Sequence, residues 1–115
     1  MTPTIAIIGA LEKEVRQIYA EVDHGTVAEE AGLKVVGGEY HGFNLVATVA
    51  GMGTVNAAAA AQHLVSRYGA NALIFSGIAG GLNPALHIGD VVIGETLRYI
   101  DTDTALIAES TPHLE

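Results

Sequence analysis

The sequence predicts an α/β fold whose central sheet binds a small molecule at one edge. Three apolar runs indicate strands, because a strand that is apolar on both faces is typical of the middle of a parallel sheet. Each run leads into a turn that contains glycine, at residues 9–10, 51–53 and 77–81. An α/β sheet binds ligands beyond the carboxyl ends of its strands, where glycine lets a ligand approach the main chain. The three turns therefore predict a pocket walled by main-chain amides.

The first strand and the first helix are predicted at residues 4–9 and 11–22. Apolar residues recur on one face of the helix and charged residues on the other, as in an amphipathic helix. The apolar face comprises Leu11, Val15, Ile18 and Tyr19, and the outward face comprises Glu12, Lys13 and Glu21. We expect His24-Gly25 to end this helix.

The remaining strands are predicted from composition and turn signals. Residues 33–40 and 43–50 read as two strands joined by a tight turn at His41-Gly42. Residues 71–76 are expected to form a strand that is buried on both faces, and residues 90–99 a fifth strand.

A second helix is predicted at residues 54–68. Thr54 is a candidate N-cap, and Gly69 follows the last helical residue. The helix contains an uninterrupted run of alanines, Ala57–Ala61, which predicts close packing against the sheet or a second subunit.

The balance of strands and helices indicates part of a larger domain. Strands that are apolar on both faces need cover on both faces, and two helices are too few for five strands. Either another chain covers the bare surface or residues 1–115 are the N-terminal portion of a single larger domain. We favour the second alternative.

Composition narrows the function classes. Thirteen acidic against five basic residues give a net charge of −8, which argues against a nucleic-acid partner. The apolar runs are shorter than the roughly 20 residues that span a bilayer, and the N-terminus lacks the basic region of a secretory signal. We expect a cytoplasmic enzyme or ligand-binding domain without a membrane partner. The five histidines show no metal-site spacing, so neither a metal nor a cofactor is expected.

Glu14 is the candidate catalytic residue. A glutamate at the start of a helix can simply complement the positive end of the helix dipole, and that alternative stays open. Glu12 and Glu14 lie about 200° apart around a helix, so one can face a pocket while the other faces water. Periodicity places Glu14 nearer the apolar face, and we expect Glu12 to face solvent.

The two later glycine turns differ in what they indicate. Gly51-Met52-Gly53-Thr54 begins like a dinucleotide-binding fingerprint but has Asn56 where the third glycine belongs. It suits either a tight turn or the approach of a polar ligand to a helix N-terminus. Residues 77–81 contain three glycines, more than a turn alone needs, and are expected to face a ligand.

Together these segments resemble the N-terminal half of the purine nucleoside phosphorylase superfamily. They are most similar to bacterial 5′-methylthioadenosine/S-adenosylhomocysteine nucleosidases. The matching stretches, in order, are IAIIGALEKEV (5–15), GMGTVNAAAAA (51–61), SGIAGGLNPALHIGD (76–90) and RYIDTD (98–103). The resemblance implies a phosphorylase/hydrolase-like fold with three αβα layers and a central twisted mixed sheet.

The resemblance also implies roles for individual residues. Glu14 falls on the family's water-activating glutamate, and Leu11 and Met52 on apolar positions beside the ribose and alkylthio group. Ile78, Ala79 and Gly80 fall in the substrate-binding turn. The substrate would be a purine nucleoside, hydrolysed in methionine salvage, and the protein a homodimer or homo-oligomer.

The chain departs from the family in two ways. Ile78 occupies a position where nucleosidases usually carry a small hydroxyl residue, which leaves the exact substrate open. Family members are about twice as long, and their other half supplies the purine-protonating acid, the ribose-binding glutamate and the base-stacking wall. The 115-residue polypeptide by itself is therefore expected to hydrolyse no nucleoside at a family-like rate.

Two alternatives to a nucleosidase stay open. Related phosphorylases place an arginine in the loop that here reads Ala10-Leu11-Glu12-Lys13-Glu14, which favours hydrolysis over phosphorolysis. A non-catalytic fragment or binding module of the same fold would keep the sheet and lack a complete site.

Overall fold

The computed structural model describes residues 2–98, together with residues 105 and 109. The chain divides into two compact units, Met1–Gly80 and Gly81–Glu115. The first unit contains seven elements, which are β1 (Thr4–Gly9), α1 (Glu12–Glu21), β2 (Asp23–Glu30), β3 (Leu33–Tyr40), β4 (Phe43–Val49), α2 (Thr54–Tyr68) and β5 (Ala72–Phe75).

The strands form one mixed sheet in the order β2-β3-β4-β1-β5. β1 runs parallel to both β4 and β5, whereas β3 is antiparallel to β2 and β4. The pairing of Tyr40 with Phe43 leaves His41-Gly42 as a two-residue turn. Both turn residues have positive φ, 46° and 83°, as a type I′ hairpin turn requires. The hairpin predicted from the sequence is confirmed.

The strand β2 was missed by the sequence interpretation, which carried α1 as far as His24-Gly25. The helix ends instead at Glu21, and Asp23–Glu30 pairs with β3 along the edge of the sheet. The segment DHGTVAEE is polar and contains glycine, so its composition is not that of a strand. It is extended because a second two-residue turn, Ala31-Gly32 with φ of 52° and 74°, folds it back onto β3.

The prediction of a fifth strand at residues 90–99 was wrong for residues 90–98, which carry no strand; residue 99 lies outside the described residues. The prediction that residues 71–76 are buried on both faces was wrong as well. Among the described strands, β5 pairs only with β1, and its side chains Leu73, Ile74 and Phe75 are 44%, 50% and 59% exposed. Local composition shows that such a segment is apolar, whereas burial depends on what packs against it.

Helices α1 and α2 cover opposite faces of the sheet, which gives the three layers expected. On one face, Val15 of α1 is fully buried beside Leu45 and Ala47 of β4. On the other face, Ala60 and Leu64 of α2 are fully buried in a cluster with four sheet residues, Ala6, Ile8, Val35 and Val46. The alternation of side chains along β1 and β4 supplies both clusters from the same strands.

The ends of α2 are formed by glycine. The N-cap is Gly53, so Thr54 is the first helical residue rather than the cap that the sequence suggested. At the other end, Gly69 adopts the left-handed conformation, and its N–H donates to the Val65 carbonyl at 3.0 Å. The alanine run of α2 lies only partly against the sheet, since Ala60 is buried while Ala58 and Ala59 are exposed.

Residues 81–98 of the second unit contain no regular strand. The Asn83 carbonyl accepts the Leu86 N–H at 3.0 Å, and the Asn83 side-chain oxygen accepts the Ala85 N–H at 2.9 Å. These bonds form a turn. Within the described part of the chain, no helix is long and apolar enough to cross a bilayer.

A carboxylate at the end of β2 attaches the β2–β3 hairpin to α2. The Glu30 side chain, 24% exposed, accepts hydrogen bonds from the Tyr68 hydroxyl at 2.6 Å and from His63 Nε2 at 3.0 Å. Arg67 Nε lies 3.5 Å from its second oxygen. The Tyr68 hydrogen bond, followed by that of His63, lowers the pKa of Glu30 below its ordinary value, against a smaller opposing effect of burial. The charged form of Glu30 is therefore favoured in the folded state.

We expect Glu30→Gln to lower the melting temperature at neutral pH and to lose this effect in acid. A lowered folded pKa gives stability that is present above the unfolded pKa of about 4.3 and is lost as the pH falls through the folded value. Melting curves of both proteins between pH 7 and pH 3 measure the difference. Glu29→Gln, at the exposed neighbouring position, is the control and should behave as wild type. Equal melting temperatures of wild type and Glu30→Gln at pH 7 would contradict the prediction.

Candidate functional site

Glu14 is held at the start of α1 by the turn that follows β1. The N-cap residue Leu11 is extended, with φ −124° and ψ 150°, and its carbonyl accepts the Glu14 N–H at 3.0 Å. The Glu14 side chain folds back toward the helix N-terminus, where its Oε2 accepts the amides of Ala10 at 2.9 Å and Leu11 at 2.8 Å. These bonds satisfy main-chain donors that the helix leaves without a partner. One carboxylate oxygen is thus fixed by its own turn.

The other oxygen of Glu14 reaches the turn that follows β5. Its Oε1 accepts the Ile78 N–H at 3.2 Å, across 64 residues of sequence. Because β1 and β5 are parallel neighbours, their carboxyl ends lie side by side, and both turns start from the same edge of the sheet. The carboxylate therefore joins the first and third of the glycine turns that the sequence singled out.

Two glycines lie beside this carboxylate. A Cβ atom at Gly9 would stand 2.4 Å from Val15 Cγ2 and 3.1 Å from Glu14 Cβ, so a side chain there would collide with α1. A Cβ atom at Gly77 would stand 3.4 Å from Glu14 Oε1 and 3.6 Å from the Phe75 ring. Neither glycine has a positive φ. Space is required at Gly9, whereas a Cβ atom at Gly77 would meet Glu14 and Phe75 at ordinary van der Waals distance. The absence of a side chain at Gly9 lets α1 approach β1 closely.

The hydrogen bonds set the charge state of Glu14. The Leu11 amide is the largest cause of a pKa below the ordinary value; the Ile78 and Ala10 amides and the charge of Lys13 act in the same direction, and partial burial opposes them. Hydrogen bonds from main-chain amides favour the ionised form of a carboxyl group. Glu14 is accordingly a carboxylate at neutral pH.

An open groove of about 460 Å³ runs along α1 from Glu14. Side chains of α1 at positions 13, 14, 17, 18 and 21 form one side of it, and the sheet and the start of the turn after β5 form the other. The full lining is Ile7, Lys13, Glu14, Gln17, Ile18, Glu21, Tyr40, Leu45 and Ser76. Glu14 is half-buried, whereas Glu12 is exposed, as expected from their separation around the helix.

The other candidate residues lie outside this groove. Leu11 contributes its amide to Glu14, and Ile78 its amide to the opposite oxygen. The side chains of Ile78 and Met52 are 70% and 73% exposed, and Ala79 and Gly80 are exposed too. The Met52 carbonyl accepts the Asn56 side-chain amide at 2.8 Å, which fixes the start of α2. Hydrogen bonds thus connect Leu11 and Ile78 directly to Glu14. Met52 lies in the turn after β4, the strand that pairs with β1.

Sequence reasoning missed several residues of the site. It read the three glycines of residues 77–81 as one group, whereas Gly77 is the one beside Glu14. It predicted that Lys13 and Glu21 face outward. Both side chains are exposed, and they also line the groove. Their spacing with Gln17, at positions i, i+4 and i+8, is the signal that could have found this edge of the helix.

Among the residues that the structure describes, no group of three or more histidine, aspartate or glutamate side chains could hold a metal ion. Arg98, at the start of the RYIDTD stretch, is exposed, and Asp101 and Asp103 of that stretch lie outside the described residues.

Comparison with known proteins assigns the family. A family model described as the phosphorylase superfamily matches residues 4–113. The chain belongs to this superfamily. A 5′-methylthioadenosine/S-adenosylhomocysteine nucleosidase of Shewanella piezotolerans is 37% identical over 99 residues, which are 86% of this chain and 43% of that protein. The corresponding protein of Chromohalobacter salexigens is 36% identical over 102 residues, 89% of this chain and 43% of that protein.

Solved structures of the superfamily show the same fold. A nucleosidase from Colwellia psychrerythraea in complex with adenine superposes with a TM-score of 0.86 at 33% identity, over 92% of this chain and 44% of that one. One from Streptococcus pyogenes in complex with 5-methylthiotubericidin has a TM-score of 0.86 at 29% identity, over 93% of this chain and 45% of that one. The chain therefore spans less than half the length of the relatives that it matches.

Proposed function

We propose that the protein hydrolyses the N-glycosidic bond of adenine nucleosides such as 5′-methylthioadenosine and S-adenosylhomocysteine. The observation that carries this proposal is the ionised carboxylate of Glu14, held by three main-chain amides where two glycine turns meet. Relatives at 36–37% identity are named as nucleosidases for these two substrates. Between Gly9 and Glu14 the turn contains no arginine that could hold a phosphate.

The hydrogen bonds of Glu14 indicate which oxygen acts as the base. Oε2 accepts two amides, which occupy its two lone pairs. Oε1 accepts one amide at 3.2 Å and keeps a lone pair for a water molecule. In the proposed reaction, Oε1 takes a proton from water while the water oxygen bonds to the ribosyl carbon. The bond from that carbon to the purine nitrogen breaks on the opposite face.

The fixed carboxylate suits this role for two reasons. A glutamate is ionised throughout the neutral range, and the three amides fix its orientation, so the base is both present and positioned. A positioned general base is worth typically about 10²–10⁴-fold in rate. The purine side of the reaction needs an acid, which we assign to a part of the full-length protein other than the turn of Glu14.

We infer that the exposed residues around Glu14 bind the nucleoside. Leu11 and Met52 would contact the ribose and its alkylthio substituent through apolar side chains. Ile78, Ala79 and Gly80 would present main-chain groups to the substrate. These positions follow β1, β4 and β5, three neighbouring parallel strands whose carboxyl ends share one edge.

An assay of adenine release tests the proposed function. The full-length protein is incubated with methylthioadenosine or S-adenosylhomocysteine, with and without inorganic phosphate, and the sugar product is identified by mass spectrometry. Release of adenine and a free sugar without phosphate is expected. Strictly phosphate-dependent release of a sugar phosphate would instead show a phosphorylase, and no release under either condition would refute the proposal.

We expect Gly80→Val to remove nucleoside binding without unfolding the protein. A Cβ atom at Gly80 meets no heavy atom within 4 Å, and the residue has no positive φ, so the fold can accommodate a side chain. The valine would fill the space that we assign to the ligand. Calorimetric titration with adenine should show no binding, while the melting temperature stays at the wild-type value. Normal adenine affinity in a folded Gly80→Val protein would show that the turn does not bind the ligand.

We further propose a cytoplasmic homodimer acting in methionine salvage. The apolar side chain of Val55, 81% exposed, lies at the start of α2 on a surface that suits burial against another chain. Sedimentation of the full-length protein measures its mass. A monomer at micromolar concentration would exclude this assembly.

A further inference from the structure

We propose that Glu14 is also an ionisation-dependent clasp: its charged carboxylate holds residues 77–80, here called the glycine segment, against the β1–α1 turn. The inference goes beyond the proposed function, because it concerns the ligand-free protein and requires no reaction. It rests on the division of the two carboxylate oxygens between segments that are far apart in sequence.

The two oxygens of Glu14 have different tasks. Oε2 accepts the amides of Ala10 and Leu11 in the β1–α1 turn, and it would cap the helix whether or not β5 were present. Oε1 accepts the Ile78 amide of the glycine segment. No capping requirement explains this second bond, which spans 64 residues of sequence.

Within the part of the chain that the structure describes, the glycine segment has few other attachments to the sheet near this point. The Ser76 N–H donates to the Ile8 carbonyl at 2.9 Å, which ends the β1–β5 ladder. Beyond it, Ile78 is 70% exposed, and a Cβ atom at Gly80 would meet no heavy atom within 4 Å. The bond from the Ile78 amide to Glu14 is therefore placed to decide the position of the segment.

The charge of Glu14 controls the strength of this bond. An amide donates more strongly to a carboxylate than to a neutral carboxyl group. Among the described residues, no other carboxylate accepts a hydrogen bond from the Ile78 amide. On α1 the charged neighbour is Lys13, Glu21 and Tyr40 line the groove, and β5 and its turn contribute Phe75, Ser76 and main-chain groups.

The clasp has a consequence if the proposed function also holds. A base that takes a proton from water becomes neutral, so the reaction itself would weaken the bond to Ile78. The glycine segment would then be held in the resting protein and loosened after hydrolysis, when products leave.

Nuclear magnetic resonance of the ligand-free protein tests the clasp without any turnover. In a pH titration, the Ile78 amide proton is expected to shift with the same midpoint as the Glu14 side-chain carboxyl carbon, below the ordinary glutamate range. The buried Ala47 amide serves as a reference for global unfolding. An Ile78 amide that does not respond to the ionisation of Glu14 would overturn the proposal.

Hydrogen exchange at neutral pH provides the second measurement. In Glu14→Gln, the side-chain oxygen can still accept the Ala10 and Leu11 amides, but the amide nitrogen then faces the Ile78 N–H, donor against donor. We expect amide exchange at Ile78 to become about tenfold faster or more, because a charge-assisted hydrogen bond is lost. The exchange rate at Ala47 should not change. Glu12→Gln is the matched control and should leave Ile78 as in wild type. Unchanged exchange at Ile78 in Glu14→Gln overturns the clasp even if the variant is catalytically dead.

Discussion

Replacing Glu14 with glutamine in the full-length protein is expected to lower kcat for methylthioadenosine hydrolysis by about 10²–10⁴-fold. Glutamine has nearly the shape of glutamate but cannot accept a proton from water at Oε1. The variant also releases the Ile78 amide, yet its substrate dissociation constant, measured by calorimetry, should change far less than kcat. This split between kcat and binding separates the loss of a base from the loss of a binding contact.

The control for this prediction is the neighbouring carboxylate. Glu12→Gln removes the same charge two residues away, at an exposed side chain outside the groove. It should leave kcat within about twofold of wild type, as surface substitutions usually do little. A Glu14→Gln protein with near-normal kcat would remove Glu14 from the mechanism.

Adding a single methyl group at Gly9 is expected to be strongly destabilising. The new Cβ would lie 2.4 Å from Val15 Cγ2, far inside van der Waals contact, and Val15 is completely buried. Helix α1 must move off β1, and overpacking of this kind typically costs about 1–3 kcal/mol. Because Glu14 lies in the first turn of α1 and would move with the helix, kcat should fall as well. Urea denaturation measures the free energy of unfolding of Gly9→Ala.

Two further variants show whether the Gly9 effect comes from this contact. Gly80→Ala places the same methyl group where no heavy atom lies within 4 Å, and its free energy of unfolding should stay within about 0.5 kcal/mol of wild type. The double variant Gly9→Ala/Val15→Ala should be less destabilised than the sum of its two single changes, since the colliding atom is gone. Strict additivity of the two changes would show that Val15 is not what Gly9 makes room for.

Local sequence patterns were sufficient to predict most helices and strands of the fold. The apolar run of β1, the amphipathic period of α1 and the two-residue turn at His41-Gly42 each specify a structure through neighbouring residues. The structure confirms these elements, with α2 placed at the predicted residues, Thr54–Tyr68. The motifs of the superfamily lie in the same local segments, which is why the resemblance could be stated from the sequence.

Strand pairing was decided by tertiary structure. Asp23–Glu30 is a strand because β3 offers it a main-chain partner, although its own residues favour none. Residues 90–98 have the apolar composition of a strand and do not form one, since composition supplies no partner for their main-chain groups. Burial is also decided by tertiary packing rather than composition, since the apolar residues of β5 stay exposed.

For this protein, the sequence by itself determined that Glu14 starts a helix after a glycine turn and that another glycine turn follows a strand 60 residues later. Only the tertiary structure decided that Gly77, rather than Gly80 or Gly81, lies beside the carboxylate, and that the Ile78 amide binds Oε1. The physical reason is that the parallel pairing of β1 with β5 brings the two turns together at one edge of the sheet. A hydrogen bond between segments so far apart leaves no periodicity in the sequence, so it becomes visible only when the strands are paired.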